Sequence, residues 1–257
     1  MNMFIHSLLG KSFVFLLLLS HVAFGASGKP KYGPKAEPLS SMTNLPYFQK
    51  NQAADYWKLS AYYLPQETPR GCSAANLAMI LNAARVGTML NSDEELITFK
   101  TFTEKLADIS YKEAIEGKSV TIGENFSNKN LTRILNEAAA KLNLGTKPHA
   151  EFFMVNQKDL KKSLASFKEA LKENEKSADD FIFFSFIQGK ITGDPDGGAH
   201  VATVAAYDEK NNLVLVMDPD RQWYEPYWTS ADNLFEAIRD PKSDSRKEAG
   251  WIHFHTK

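Results

Sequence analysis

The chain contains a single cysteine, Cys72, at a position where a thiol can act as a nucleophile. It follows Gly71 and precedes a segment rich in Ala, Leu and Met, from Ser73 to Arg85, which has no proline or glycine and predicts a buried helix. A thiol attacks a carbonyl as the thiolate, and a helix N-terminus favours that charged form. Free buried cysteines also occur for packing alone, so the residues around Cys72 must decide between a reactive and an inert thiol.

A general base is the second requirement, and His200 is the candidate. It opens an apolar run predicted as a strand, directly after a loop whose last glycine, Gly198, permits close approach of backbone and substrate. His149 precedes another predicted strand without such a loop. His253 and His255 are two residues apart, as residues on one face of a terminal strand are. No other His or Cys is near them in the sequence. We therefore expect no zinc site there and no metal ligands elsewhere.

A carboxylate that orients the base is expected from the strand after His200. The runs His200–Tyr207 and Leu213–Asp218 flank a polar turn, which predicts an antiparallel hairpin. Such a hairpin brings Asp218 beside His200 at one end of the sheet, where a carboxylate can hold the imidazole in place. A turn starting at Asp218 and Pro219 is the simpler alternative.

Gln66 can supply an amide donor to the developing oxyanion. It lies six residues before Cys72, across a turn that contains proline. Together with the Cys72 backbone N–H it would form an oxyanion hole worth roughly 3 kcal/mol, and a surface glutamine in a loop is the alternative. Gln66, Cys72, His200 and Asp218 follow the chain order of papain-type enzymes.

The elements that must position these residues fall into two groups. Helical patterns dominate up to Leu142, whereas the C-terminal third contains β-branched and aromatic runs separated by turns. We expect an α+β, papain-like cysteine protease fold, with a helical lobe carrying the Cys72 helix packed against an antiparallel sheet lobe carrying His200 and Asp218. Further predicted elements are a strand at Glu151–Val155, a helix at Leu160–Asn174 and a strand at Phe181–Ile187.

The first 25 residues read as a secretory signal peptide. Lys11 precedes the apolar run Phe13–Leu19, and Ala23-Phe24-Gly25 forms a small-x-small cleavage site. The run is too short for a hydrocarbon core of roughly 30 Å, so we expect no membrane span after cleavage and an exported bacterial protein, periplasmic or secreted. An uncleaved anchor is the alternative. Residues 26–41 are expected to be a flexible lead-in and residues 42–257 one catalytic domain.

Composition restricts the class of partner. Lys and Arg total 30 against 31 Asp and Glu, a net charge of −1, and both signs are mixed along the chain. There is no basic stripe for nucleic acid. A small molecule or a peptide is the expected partner, and the oligomeric state stays open.

Two blocks resemble phytochelatin synthases. The stretch QETPRGCSAANLAMILNAARVG is similar to their active-site helix, in which Gln precedes the nucleophilic Cys by the same six residues. The segment from Phe181 to Ile238 looks like that family's strand, glycine loop, His strand, Asp strand and Trp-containing segment. The resemblance covers about Tyr47 to Phe254. It implies the following roles: nucleophile Cys72, general acid/base His200, orienting carboxylate Asp218 and oxyanion donor Gln66.

The resemblance also implies substrate contacts. Arg221 matches a family Arg near the substrate pocket, where a guanidinium would hold a carboxylate, although a surface ion pair is the alternative. The family has an Asp and an Arg seven residues apart before Gly-Phe, whereas here only Asp240 and Arg246 lie nearby. The family's aromatic before the Cys and Gly after it are replaced by Gly71 and Ser73, from which we expect a more open pocket.

The implied reaction is attack of Cys72 on the Cys–Gly amide of glutathione, giving a γ-glutamylcysteinyl thioester that water or a second glutathione resolves. No cofactor is required in this scheme, and cadmium or zinc would enter as glutathione thiolate complexes. Two alternatives stay open: a papain-like peptidase of the bacteriocin-leader type, and a non-catalytic exported binding protein that uses Cys72 for packing or metal capture.

Overall fold

The computed structural model describes residues 31–86, 94–119, 122–144 and 149–256 of the 257-residue chain. The predicted signal peptide, residues 1–25, lies outside these residues. In the part that is described, no helix combines the length and apolar character needed to cross a bilayer.

Ten α-helices lie within the described residues, and seven of them precede the main run of strands. The longest three have 13 to 15 residues. The helices are α1 (Leu45–Lys50), α2 (Ala54–Ser60), α3 (Cys72–Ala84), α4 (Phe99–Thr101), α5 (Ile109–Ile115), α6 (Ile122–Asn125), α7 (Asn128–Lys141), α8 (Leu160–Asn174), α9 (Gly189–Thr192) and α10 (Ala231–Ile238). A π-helical turn, Phe102–Leu106, continues α4, and 3-10 turns occupy Leu39–Ser41 and Pro241–Ser243.

A seven-stranded sheet forms the centre of the molecule, with every adjacent pair antiparallel. Its spatial order is β1-β6-β5-β4-β3-β7-β2. The strands are β1 (Glu37–Pro38), β2 (His149–Met154), β3 (Asp180–Ile187), β4 (Ala199–Asp208), β5 (Leu213–Met217), β6 (Tyr227–Ser230) and β7 (Gly250–His255). The predicted α+β class is confirmed.

Both faces of the sheet are covered, which explains the continuous apolar sequence of β3. Phe181 and Phe183 belong to the core shared with α3 and α7, whereas Ile182 and Phe184 belong to the core shared with α8 and α10. Side chains alternate between the faces of a strand. The Cys72 helix and α7 therefore lie on one face, and α8 and α10 form a second helical layer, which sequence analysis did not separate, on the other.

Helix α3 is buried on all sides because its sequence is apolar on all sides. Residues 73–83 are all buried, and the helix packs against β4, the strand that carries His200. A helix that is apolar all round belongs inside a protein. Its observed span agrees with the predicted helix to within one residue at each end.

The chain joins the sheet earlier than the sequence suggests. Glu37 and Pro38, inside the stretch expected to be a flexible lead-in, pair with Trp228 and Tyr227 at the sheet edge. Proline is tolerated there because an edge strand can leave one N–H side unpaired. Strand pairing thus starts about five residues before the expected domain boundary at residue 42.

Candidate active site

Cys72 occupies the first turn of α3, with its thiol half-buried. The first hydrogen bond of the helix runs from the Ala75 N–H to the Gly71 carbonyl, and no side chain caps this end. The backbone N–H of Cys72 is therefore not used by the helix, as expected for the first residues of any helix. It is available to bind a negative oxygen beside the thiol.

His200 and Asp218 meet at one end of the β4–β5 hairpin, as the sequence predicts. His200 is the second residue of β4, and Asp218 directly follows β5. The His200 Nε2 and Asp218 Oδ1 atoms are 2.6 Å apart, and both side chains are buried. The Cys72 thiol lines the same cavity as the imidazole and helps to raise the pKa of His200. A thiol, an imidazole and a carboxylate thus lie next to one another.

The Asp218 carboxylate is held by several donors besides His200. The Gln188 side chain donates to Oδ2 at 2.9 Å, the Tyr227 hydroxyl donates to Oδ2 at 3.3 Å, and the Asp220 backbone N–H donates to Oδ1 at 3.0 Å. Burial raises the pKa of Asp218, but the charge of His200 and these hydrogen bonds outweigh it and lower the pKa below its ordinary value. Asp218 therefore stays ionised and fixes the imidazole.

The protonation of His200 follows from the same contacts. Burial by itself lowers the pKa of His200, whereas the charges of Asp218 and Cys72 and the hydrogen bonds with both raise it. The net result is a His200 pKa well above the ordinary histidine value. An imidazolium facing a thiol is suited to stabilise a thiolate and later to donate a proton to a leaving group.

Asn76 connects the helix of the nucleophile to the strand of the base. Its side-chain amide donates to the carbonyls of Cys72 and Val201, both at 2.8 Å, and its carbonyl accepts from the Thr203 hydroxyl at 2.6 Å. Asn76 is fully buried. All of its hydrogen bonds therefore set the position of Cys72 relative to β4.

Two cavities meet at His200. The smaller, of about 240 Å³, contains Cys72, and its charged lining residues are Arg70 and Lys242. Phe126, Ser185, Ser243 and Ser245 complete most of its wall. Within the described residues neither Arg70 nor Lys242 has a carboxylate partner, so this cavity offers positive charge beside the thiol.

The larger cavity, of about 520 Å³, extends from His200 in the other direction. Besides His200, it is lined by two of the predicted site residues, Gln66 and Gly198. The Gln66 side chain makes no hydrogen bond within the described residues, and its buried Oε1 has no partner. An amide that the protein does not engage is free to contact a bound substrate, and the backbone bond from the Gln66 N–H to the Pro219 carbonyl, 2.8 Å, holds its loop beside the Asp218 segment.

Three of the predicted substrate contacts lie outside both cavities. Arg221 stacks over the Tyr63 ring, with its guanidinium carbon 4.4 Å from the ring centroid. Asp240 forms an ion pair with Lys190 at 2.6 Å, and Arg246 lies 3.4 Å from a Glu124 carboxylate oxygen. Each of the three is thus engaged by the protein in this structure.

The structure gives no support at Gly71 for the expected opening of the pocket, because the space beside this residue is occupied. A Cβ at position 71 would lie 2.7 Å from the Phe99 ring, so that ring already fills the space that a side chain there would take. Ser73 is fully buried and shares a 2.6 Å hydrogen bond with the Tyr111 hydroxyl. Gly71 therefore leaves no empty space on the Phe99 side, and the Ser73 hydroxyl is engaged by Tyr111.

Sequence reasoning did not identify Gln188 or Asn76 as site residues, although the position of Asn76 in its helix was informative. Asn76 lies four residues after Cys72, on the same helical face, and is one of few polar residues in an otherwise apolar helix. A buried polar residue in such a helix needs partners. Gln188 follows the end of β3, and only the pairing of β3 with β4 brings it to Asp218.

A cysteine at a helix N-terminus that faces a His–Asp pair is the arrangement of cysteine-nucleophile enzymes of the papain-like class. The sequence profile of the phytochelatin synthase family matches residues 41–251. The chain belongs to the phytochelatin synthase family.

Curated relatives carry matching names. "Glutathione gamma-glutamylcysteinyltransferase 3" of Lotus japonicus is 22% identical over 184 residues, 71% of this chain and 34% of the relative. "Glutathione gamma-glutamylcysteinyltransferase 1" of Arabidopsis thaliana is 20% identical over 205 residues, 79% of this chain and 38% of the relative. The chain thus spans little more than a third of the length of these relatives. Among solved structures, the Pseudomonas avirulence protein AvrPphB aligns with a TM-score of 0.32 and 8% identity, over 77% of this chain and 97% of that one.

Proposed function

We propose that this chain cleaves the Cys–Gly amide bond of glutathione through a γ-glutamylcysteinyl thioester on Cys72. The observation that carries the proposal is that Cys72 shares a cavity with His200, which lies 2.6 Å from Asp218, in a chain that matches the phytochelatin synthase profile over residues 41–251. A hydrolase, a transferase and a peptidase all need this constellation. The family match favours glutathione among their substrates.

In the acylation step, the Cys72 thiolate attacks the carbonyl carbon of the substrate's cysteine residue. The oxyanion that forms accepts hydrogen bonds from the Cys72 backbone N–H and the Gln66 amide, and each such donor is worth roughly 3–4 kcal/mol. The His200 imidazolium gives its proton to the glycine nitrogen as the C–N bond breaks. Free glycine leaves and a thioester remains on Cys72.

The thioester is resolved by either of two nucleophiles. His200, now neutral, takes a proton from water or from the neutral amino group of a second glutathione as that nucleophile bonds to the thioester carbonyl carbon. The C–S bond breaks and Cys72 leaves as the thiolate beside the His200 imidazolium. Water yields γ-glutamylcysteine, and glutathione yields (γ-Glu-Cys)₂-Gly. Water is always abundant, whereas the acceptor must bind. We therefore expect hydrolysis at low glutathione and more transfer as its concentration rises.

Arg70 and Lys242 are the proposed contacts for substrate carboxylates. Both line the cavity that contains Cys72, and neither is paired within the described residues. Glutathione carries two carboxylates and one ammonium group at neutral pH. Cationic side chains beside the thiol fit the carboxylate of the acyl portion that stays on the protein.

Incubation of the purified protein with glutathione tests the proposal. Mass spectrometry should detect glycine and γ-glutamylcysteine in equal amounts at low glutathione, with (γ-Glu-Cys)₂-Gly appearing at the high end of a titration, and the Cys72→Ser variant should release no glycine. Cleavage of ordinary peptides but not of glutathione would favour a leader-type peptidase. Slow labelling of Cys72 by iodoacetamide at neutral pH, together with cleavage of neither glutathione nor peptides, would favour a binding protein.

Export and metal involvement are further parts of the proposal. The leader features of residues 1–25 support a mature N-terminus at or near Ala26, and recovery of cytoplasmic protein starting at Met1 would contradict export. Cadmium or zinc would act as part of a glutathione thiolate complex. If so, adding cadmium should raise the rate of transfer in proportion to the concentration of the cadmium–glutathione complex.

A further inference from the structure

Four side chains with metal-binding chemistry are brought together at the end of the sheet far from Cys72. β7 contributes His253 and His255, which lie on one face because they are two residues apart. In the register of the sheet, His255 lies opposite His149 on β2 and opposite Asp180 on β3. Residues paired across strands lie on the same face, so all four converge.

The donor atoms of three of these residues already lie close enough to share one ion. One ligand atom each from Asp180, His253 and His255 can be chosen so that all lie within 4.8 Å of one another. The Asp180 Oδ2 and His253 Nε2 atoms are 2.5 Å apart, and the His253 and His255 ring centroids are 4.1 Å apart. The His149 ring stacks on His255 with 4.9 Å between centroids.

We propose that Asp180, His253 and His255 form a binding site for a divalent transition-metal ion of the Zn²⁺ type. Two imidazoles and one carboxylate are donors that zinc and its neighbours prefer, whereas Mg²⁺ and Ca²⁺ prefer oxygen ligands alone. Three protein ligands leave one position of a tetrahedral ion for water or, after a ring rotation, for His149. The expectation that no further ligand accompanies His253 and His255 considered only neighbours in the sequence.

Binding requires a small local change. Zn–N and Zn–O distances of about 2.0–2.2 Å place tetrahedral ligands roughly 3.3 Å apart, so Asp180 and His253 must separate slightly from their present 2.5 Å contact. The ion takes the place of the hydrogen bond that joins this pair. No bond of the backbone ladder needs to break.

The surroundings provide both rigidity and access. The Asp180 and His253 side chains are 13% and 8% exposed, and the backbone of Asp179 accepts two hydrogen bonds from Thr256, which fixes the end of β7 against the start of β3. His255 is only half-buried and His149 is exposed, so an ion can enter from the His149 side. Glu151, opposite His253 in the register, adds a carboxylate on the same face.

This site is separate from the proposed glutathione chemistry. Asp180 begins β3, whereas His200 pairs with Phe186 near the other end of that strand. Six residues at about 3.3 Å each put the two ends roughly 20 Å apart. Metal binding here can therefore be tested without any assumption about the reaction at Cys72.

Zn²⁺ titration by isothermal calorimetry is the test, with protein that carries no histidine tag. The Cys72→Ser variant should still bind about one equivalent, which separates this site from capture by the thiol. Asp180→Asn and His255→Gln should each weaken binding more than about tenfold. Asp179→Asn, a carboxylate change next to the site, should leave it unchanged.

Co²⁺ supplies a second readout. The visible absorption of a tetrahedral Co²⁺ complex should appear with the Cys72→Ser protein and disappear with Asp180→Asn. Thermal unfolding without metal checks that the variants fold, and Asp180→Asn keeps the shape of the side chain for that reason. No uptake by Cys72→Ser protein, or uptake that folded Asp180→Asn and His255→Gln variants leave unchanged, would overturn the proposal.

Discussion

Two histidine–aspartate pairs lie on the same sheet, and their geometry is nearly identical. His200 Nε2 is 2.6 Å from Asp218, and His253 Nε2 is 2.5 Å from Asp180. In both pairs the two residues come from neighbouring strands at a strand end. The distance within the pair therefore does not distinguish their chemistry.

The two pairs differ in the group that the imidazole faces and in the number of hydrogen-bond donors around the carboxylate. His200 faces the thiol of Cys72, which stands at a helix N-terminus, whereas His253 faces another imidazole, that of His255, on its own strand. Asp218 is completely buried among three further donors, whereas Asp180 is partly exposed. A nucleophile makes the first pair suited to proton transfer. A second imidazole makes the other suited to holding an ion.

Removing the carboxylate charge from each pair gives the largest contrast. Asp218→Asn should lower kcat for glycine release by about 10²–10⁴, because an amide leaves His200 in the wrong tautomer. Asp180→Asn should leave kcat within about twofold. Steady-state kinetics of the two variants side by side are the measurement, and comparable losses in both would mean that the pairs are not functionally distinct.

The pH dependence of activity sharpens the same contrast. Since the charge of Asp218 helps to raise the pKa of His200, activity in the wild type should fall only as pH rises through that raised pKa, where the imidazolium is lost. In Asp218→Asn the alkaline limb of kcat/KM should move to lower pH. A pH–rate profile in which the limb stays in place would contradict the assigned cause.

Asn76 links α3 to β4 beside the first pair, and its removal should have an intermediate effect. Asn76→Ala leaves the buried carbonyls of Cys72 and Val201 without their side-chain donor, which should cost about 1–3 kcal/mol of unfolding free energy. It should also lower kcat more than it raises KM, because Cys72 shifts relative to β4. Urea unfolding and kinetics measure both, and a stable variant with unchanged kcat would show that the hydrogen bonds of Asn76 do not position the thiol.

The smallest expected effect concerns the charge beside the thiol. Lys242→Gln should raise KM for glutathione about fivefold with little change in kcat, as loss of roughly 1 kcal/mol of uniform binding would. Arg246→Gln, four residues along the same loop, is the matched control, because Arg246 lies toward Glu124 and outside the cavity. If only the Arg246 variant raises KM, the substrate contact suggested by family resemblance is the correct one.

The positions of the active-site residues at the ends of α3, β4 and β5 could be predicted because each of these elements has a local sequence signal. An apolar segment without proline or glycine predicts α3 and places Cys72 at its start. A hairpin with a polar turn brings His200 and Asp218 to the same end of the sheet, whereas the exact pairing also depends on a register shift between Val204 and Ala206. These predictions use interactions between residues near each other in the chain.

The second pair, the two cavities and the support of Asp218 were decided by the tertiary structure. β7 lies between β2 and β3 in the sheet although it is the last strand of the chain, and only that insertion brings His253 to Asp180, 73 residues away. Lys242 lines the cavity that contains Cys72, and Arg246 does not, because of the path of one loop. Local patterns determine elements, whereas long-range strand order and loop paths depend on packing the whole core at once, and no sequence window contains that information.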